Sequence, residues 1–151
     1  MLAVWLSRIG HCRGFGVQSP SAYAFIRYVI NEHYPYYAYD DMLKAWPDIK
    51  GLRLKLCRLY FRLANFAQAQ QWAEQFVSAK ACNRDNGNAL ASAGNEEKTM
   101  LIIEGIGHDT TAKAIWQKLV NDRRVGITFD LYYCGIAFFD KRFKQNYIVN
   151  F

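Results

Sequence analysis

Glu104, His108 and Asp109 form the one compact group of residue types in the chain suited to acid–base or metal chemistry. They lie in the stretch TMLIIEGIGHDTTAKAIWQKLV, residues 99–120. A carboxylate or imidazole at a turn places a general base within hydrogen-bond reach of whatever sits beside it. Gly105 and Gly107 stand between them. Spaced glycines let a backbone approach a cofactor closely, so these two are the candidates for cofactor contact. The same residues also have a structural use. Asp109 or Thr110 is a good N-cap for a following helix, and His108 suits a surface loop. One His and two carboxylates close in sequence do not make a site, so the structural use is the expectation and no catalytic residue is assigned.

A second group is Lys55, Arg58 and Arg62, spaced by three and four. That spacing puts them on one helical stripe, which could grip the phosphates of a nucleic acid. They run beside Leu52, Leu56, Leu59, Leu63 and Phe66, the stripe expected to face the core. A wet basic face next to an apolar one is what any surface helix shows, so nucleic acid is not an expected partner. The run HYPYYAY at 33–39 collects apolar rings with polar tips, which suits a groove or an interface. His11 and His33 have no partner at metal-ligand spacing, and no metal is expected. Serine nucleophile elbows and phosphate loops are absent from the sequence. Cys12, Cys57, Cys82 and Cys134 lack knuckle or redox spacing and read as reduced, unpaired thiols.

These groups need elements to hold them. Residues 13–18 (RGFGVQ) form a glycine-flanked loop that presents Phe15, and Ser19-Pro20 is an N-cap followed by proline at the first helical position. Ala22, Phe25, Ile26, Val29 and Ile30 follow at helical spacing, and Pro35 ends that helix near 33–34. A short helix is expected around 40–46, a longer one from Leu52, and helix formers around Trp72 and Phe76 extend or restart it over 67–81. Residues 82–98 (CNRDNGNALASAGNEEK) are polar and read as an exposed loop. A strand at 99–104, a helix at about 110–121, a hairpin of strands 125–132 and 136–139 turning at 133–135, and a last edge strand at 145–151 complete the chain. The expectation is a single α/β domain: helical over 1–81, a loop at 82–98, then strand, helix, hairpin and strand in a small mixed sheet.

The chain has 151 residues, 52% hydrophobic and 21% charged, enough to bury one core. Its formal charge is +6, with nine Lys/Arg against four Asp/Glu in the first 62 residues. Net charge alone specifies no partner. The opening MLAVWL is too short for a signal core and nothing approaches a membrane span, so a soluble, cytoplasmic protein is expected.

Two blocks carry a resemblance: GFGVQSPSAYAFIRYVINEHYPYYAYDD (14–41) and LIIEGIGHDTTAKAIWQKLVNDRRVGITFDLYYCGIAFFDKRFKQNYIVNF (101–151). Together they resemble a group of class I S-adenosylmethionine-dependent methyltransferase-like proteins common in Bacteroidetes-type bacteria. The resemblance implies a Rossmann-like fold in which 101–121 is the fifth strand with its helix and FDLY with GIAFF is the hairpin of the last two core strands. It also implies a glycine-rich turn after a first strand and an acid ending a second, to hold S-adenosylmethionine. Between Asn65 and Lys98 no apolar run ends in an acid and a Gly-x-Gly, and some thirty residues cannot hold four strand–helix units. Glu104-Gly105-Ile106-Gly107 imitates the cofactor turn but sits in the fifth-strand block. The expectation is a truncated, non-catalytic binding or assembly module without a cofactor, homo-oligomeric through its exposed sheet edge. The alternative is an active methyltransferase with a rebuilt or shared S-adenosylmethionine site.

Overall fold

Ser19 caps the first long helical segment as its type predicts, its Oγ accepting from Ala22 N–H at 3.4 Å, with Pro20 at the first helical position. The computed structural model describes residues 2–67, 76–77, 100–139 and 144–151. Helix α1 (Leu2–Ser7) and a 3-10 turn (Ile9–His11) lead to α2 (Pro20–Phe25), which runs on into a π turn (Ile26–Ile30). In that turn Asn31 N–H donates to Ile26 O, five residues back, at 2.9 Å. The segment therefore ends at Ile30, earlier than Pro35 alone requires. Helices α3 (Tyr37–Ala45) and α4 (Gly51–Ala67) follow.

The C-terminal part holds β2 (Met100–Glu104), α5 (Thr110–Asn121), β3 (Ile127–Asp130), β4 (Cys134–Phe138) and β5 (Gln145–Ile148). With β1 (Phe76–Val77) they make a five-stranded sheet in the order β1-β2-β4-β3-β5. Strand β4 is antiparallel to both its neighbours, β2 and β3, while the β1–β2 and β3–β5 pairs are parallel. The result is a mixed α/β fold, with the strand of the 99–120 stretch beside the hairpin as expected.

Both faces of the sheet are covered. Met100 and Ile102 face a core with Phe25, Ile26 and Ile30 of the α2 segment and Leu59 and Leu63 of α4. Leu101 and Ile103 face the other side, against Ala112, Trp116 and Leu119 of α5. Burial on two faces explains why β2 reads as an unbroken apolar run and not as an alternation. Each fully buried Ile or Leu side chain contributes about 2 kcal/mol by leaving water.

Several expectations are corrected. Phe76 and Val77, expected within a helix, pair as a strand with Ile102 and Ile103; the edge of β2 and the β preference of these two residues override the helix formers around them. The hairpin turn falls on Leu131 to Tyr133, not on 133–135, because Cys134 and Gly135 already pair with Glu104 and Ile103. Tyr132 takes the left-handed conformation there, with φ of 70°. Gly135 serves packing: a Cβ on it would lie 2.5 Å from the Trp116 ring. Phe66, expected in the core, is half exposed, with its ring edge-on to Phe25 at 4.9 Å. The expected loop at 82–98 lies outside the described residues. No helix among the described residues is long and apolar enough to cross a membrane.

Candidate functional site

The turn after β2 is built from its own main chain. Gly105 has φ of +81°, which an L side chain rarely adopts. Its N–H donates to Tyr133 O at 2.7 Å, and Gly107 N–H donates to Tyr132 O at 2.8 Å. The Tyr132 ring lies where a side chain on residue 107 would be, 2.6 Å from an ideal Cβ. Both amides that a cofactor would use are thus engaged by the hairpin turn.

Around this turn the three candidate acid–base residues face different ways. Asp109 caps α5, accepting from Thr111 N–H at 2.7 Å and Ala112 N–H at 3.3 Å. His108 is exposed. Glu104 accepts the hydroxyl proton of Tyr60, from α4, at 2.6 Å. No hydrogen bond among the described residues joins the three to one another. Burial, the neighbouring Cys134 and the Glu104 hydrogen bond push the Tyr60 hydroxyl far above its usual range. Burial, then the Glu104 charge, does the same to the Cys134 thiol. Both stay protonated at neutral pH, so Cys134 is no thiolate nucleophile. Cys12, Cys57 and Cys134 are free, and no group of His, Cys, Asp and Glu among the described residues could hold a metal.

The sequence groups that do come together are the basic stripe and the tyrosine run. They line a pocket of about 440 Å³ where the end of the π turn, residues 31–36, α3 and α4 meet. Lys55, Arg58 and Arg62 form one wall, Tyr34, Tyr36 and Tyr39 another. Arg62 is not on a wet face: it is 8% exposed. Its Nε donates to Val29 O at 2.6 Å, Nη2 to Ile30 O at 2.8 Å and Nη1 to the Tyr39 hydroxyl at 3.0 Å. The last carbonyls of a helix lack partners within it, and a cation there opposes the negative end of the helix dipole. Arg62 therefore ties the α2 segment to α4 and α3.

The other two cations sit over rings. Arg58 lies 5.0 Å from the Tyr39 centroid and the Lys55 ammonium 4.3 Å from that of Phe151. The Lys55 side chain as a whole is exposed, but desolvation of its ammonium and then the Arg62 charge lower its pKa. Tyr36 donates to Glu32 at 2.8 Å, which raises its own pKa. Edge-on contacts link Tyr34, Tyr36, Tyr39 and Phe61 with centroids 5.2 to 5.6 Å apart.

Sequence reasoning missed one further cluster. Arg8 donates to the Asp130 carboxylate at 2.8 Å and to its carbonyl at 3.0 Å, joining the N-terminal segment to the end of β3. No local pattern signals a pair 122 residues apart. No family model, curated protein or solved structure matches the chain.

Proposed function

We propose that the chain is a methyltransferase-like module that works by binding or assembly, without S-adenosylmethionine and without methyl transfer, in the cytoplasm. Support for the family reading comes from the C-terminal order: β2, α5, then the β3–β4 hairpin, with β2 paired to the hairpin. The non-catalytic reading rests on the sequence lacking the first-strand glycine turn and second-strand acid. The observation added to it is that the one glycine turn able to imitate that site, after β2, is closed: Gly105 and Gly107 spend their amides on Tyr133 and Tyr132. A turn that holds a cofactor offers such amides to it. Calorimetry with S-adenosylmethionine and with its demethylated product is expected to show no binding at about 1 mM ligand. A dissociation constant below that would overturn the proposal and restore an active enzyme with a rebuilt or shared cofactor site.

Assembly would use the outer edge of β5, which pairs with β3 on one side only and exposes Gln145, Asn146 and Ile148. The N-terminal segment closes part of this edge, through a parallel bridge between Cys12 and Asn150. Light scattering is expected to report a dimer or larger, and a monomer at all concentrations would sink the assembly half of the reading.

A further inference from the structure

We propose that the pocket between α3 and α4 binds a small phosphomonoester of a sugar that bears a planar aromatic base, the chemistry of a nucleoside monophosphate. This goes beyond the reading above, which concerns the turn after β2, and the two fail separately. Four observations converge on the pocket. Its volume of about 440 Å³ lies within the range of small-molecule sites. Lys55, Arg58 and Arg62 line it without an ion pair to any carboxylate among the described residues. Three cations along one helix stripe repel one another, and an anion between them removes that repulsion.

The third observation is more specific. Arg58 Nε and Asn31 Nδ2 are buried and have no hydrogen-bond partner among the described residues, and both residues line this pocket. Buried donors in native proteins are nearly always satisfied, so two orphans at one pocket call for an acceptor there. A phosphate has acceptor oxygens enough for both, with charge-assisted bonds. Fourth, Tyr34 lines the pocket and is 63% exposed as a residue, so its ring is available for a planar group to stack on. Glu32 and Asp40 also line it and can accept from sugar hydroxyls. The same two carboxylates oppose a continuous polyanion. Arg62, with all three nitrogens already donating to the fold, is counted here for its charge. A small ligand therefore suits the site better than a nucleic-acid strand.

The test is calorimetry on the whole chain at low salt, with adenosine monophosphate, inorganic phosphate, adenosine and a single-stranded RNA as titrants. Adenosine monophosphate is expected to bind, phosphate more weakly, and adenosine not detectably. Arg58→Gln and Lys55→Gln are each expected to weaken adenosine monophosphate about tenfold, the loss of one charge-assisted bond. Lys118→Gln, on exposed α5 surface, should leave it unchanged. Far-ultraviolet circular dichroism and thermal unfolding check that each variant folds. Arg62 is left intact because it holds the fold. No binding of phosphate or adenosine monophosphate at about 5 mM would overturn the proposal. So would parental affinity in Arg58→Gln, or RNA binding tighter than adenosine monophosphate.

Discussion

Replacing Gly135 by Ala puts a methyl group into the space held by the Trp116 ring. The ideal Cβ lies 2.5, 2.6 and 2.7 Å from three ring carbons, against an ordinary carbon–carbon contact of about 3.5 to 4.0 Å. The ring must therefore retreat by about 1 Å. Trp116 is 6% exposed and packed in the core between α5 and the sheet, and β4 is held on both sides by β2 and β3. Neither neighbour yields freely. Overpacking of this kind costs about 1–3 kcal/mol. Gly135 does not have positive φ, so Ala returns about 0.5 kcal/mol by restricting the unfolded chain. The net loss is about 0.5–2.5 kcal/mol, or roughly 1–10 °C in Tm for a chain of this size. Urea unfolding followed by far-ultraviolet circular dichroism measures it, with an unchanged slope expected. Trp116→Leu alone costs about 2–4 kcal/mol by cavity formation. In that background Gly135→Ala should cost nothing, giving a coupling of about 0.5–2.5 kcal/mol. Equal penalties in the two backgrounds would refute the reasoning.

Asp109→Ala removes the side-chain cap of α5 and should lower stability by about 1 kcal/mol in the same assay, with Asp109→Asn restoring most of it; equal stability of Ala and Asp variants would contradict the cap. Alkaline pH should unfold the protein through Tyr60 and Cys134. Their folded pKa values are raised, so the fold holds their protons more tightly than the unfolded chain does. The associated stability is complete below the unfolded values, about 8.5 for Cys and 10 for Tyr, and is lost as pH rises above them at about 1.4 kcal/mol per unit for each group. Urea midpoints from pH 7 to 11 should show this decline, and Tyr60→Phe should flatten the part above about pH 10; an unaltered slope would refute the Tyr60 assignment.

The elements most legible from sequence are those whose signals are local. Ser19-Pro20 and Asp109 cap helices through their own side chains, and the 100–103 run is apolar because each residue meets a core. Arg62 was not legible. A cation beside Leu59 and Leu63 looks like the wet border of a helix, until a π turn on another segment leaves the Val29 and Ile30 carbonyls for it to cap. Gly135 reads as a turn residue, yet its need for no side chain comes from Trp116, nineteen positions earlier on α5. The spacing of Lys55, Arg58 and Arg62 showed a shared face, but the tyrosines that turn that face into a pocket come from a different segment. Fold class and the caps of α2 and α5 are written locally; the pocket is written in tertiary contacts.

The link between the two ends of the chain also orders its folding in time. Asn150 donates to His11 O and Trp5 O and to Cys12 Sγ, across 138 to 145 residues, and Arg8 waits for Asp130. Closing a loop of that length costs about (3/2)RT ln n in chain entropy before any contact forms. The contacts that hold residues 5–12 to the sheet therefore form only once β3 and the residues after β5 are in place. Leu2, Trp5, Leu6 and Ile9 stay exposed in the folded chain, so little apolar burial offsets that cost and the polar contacts of Arg8 and Asn150 carry the attachment.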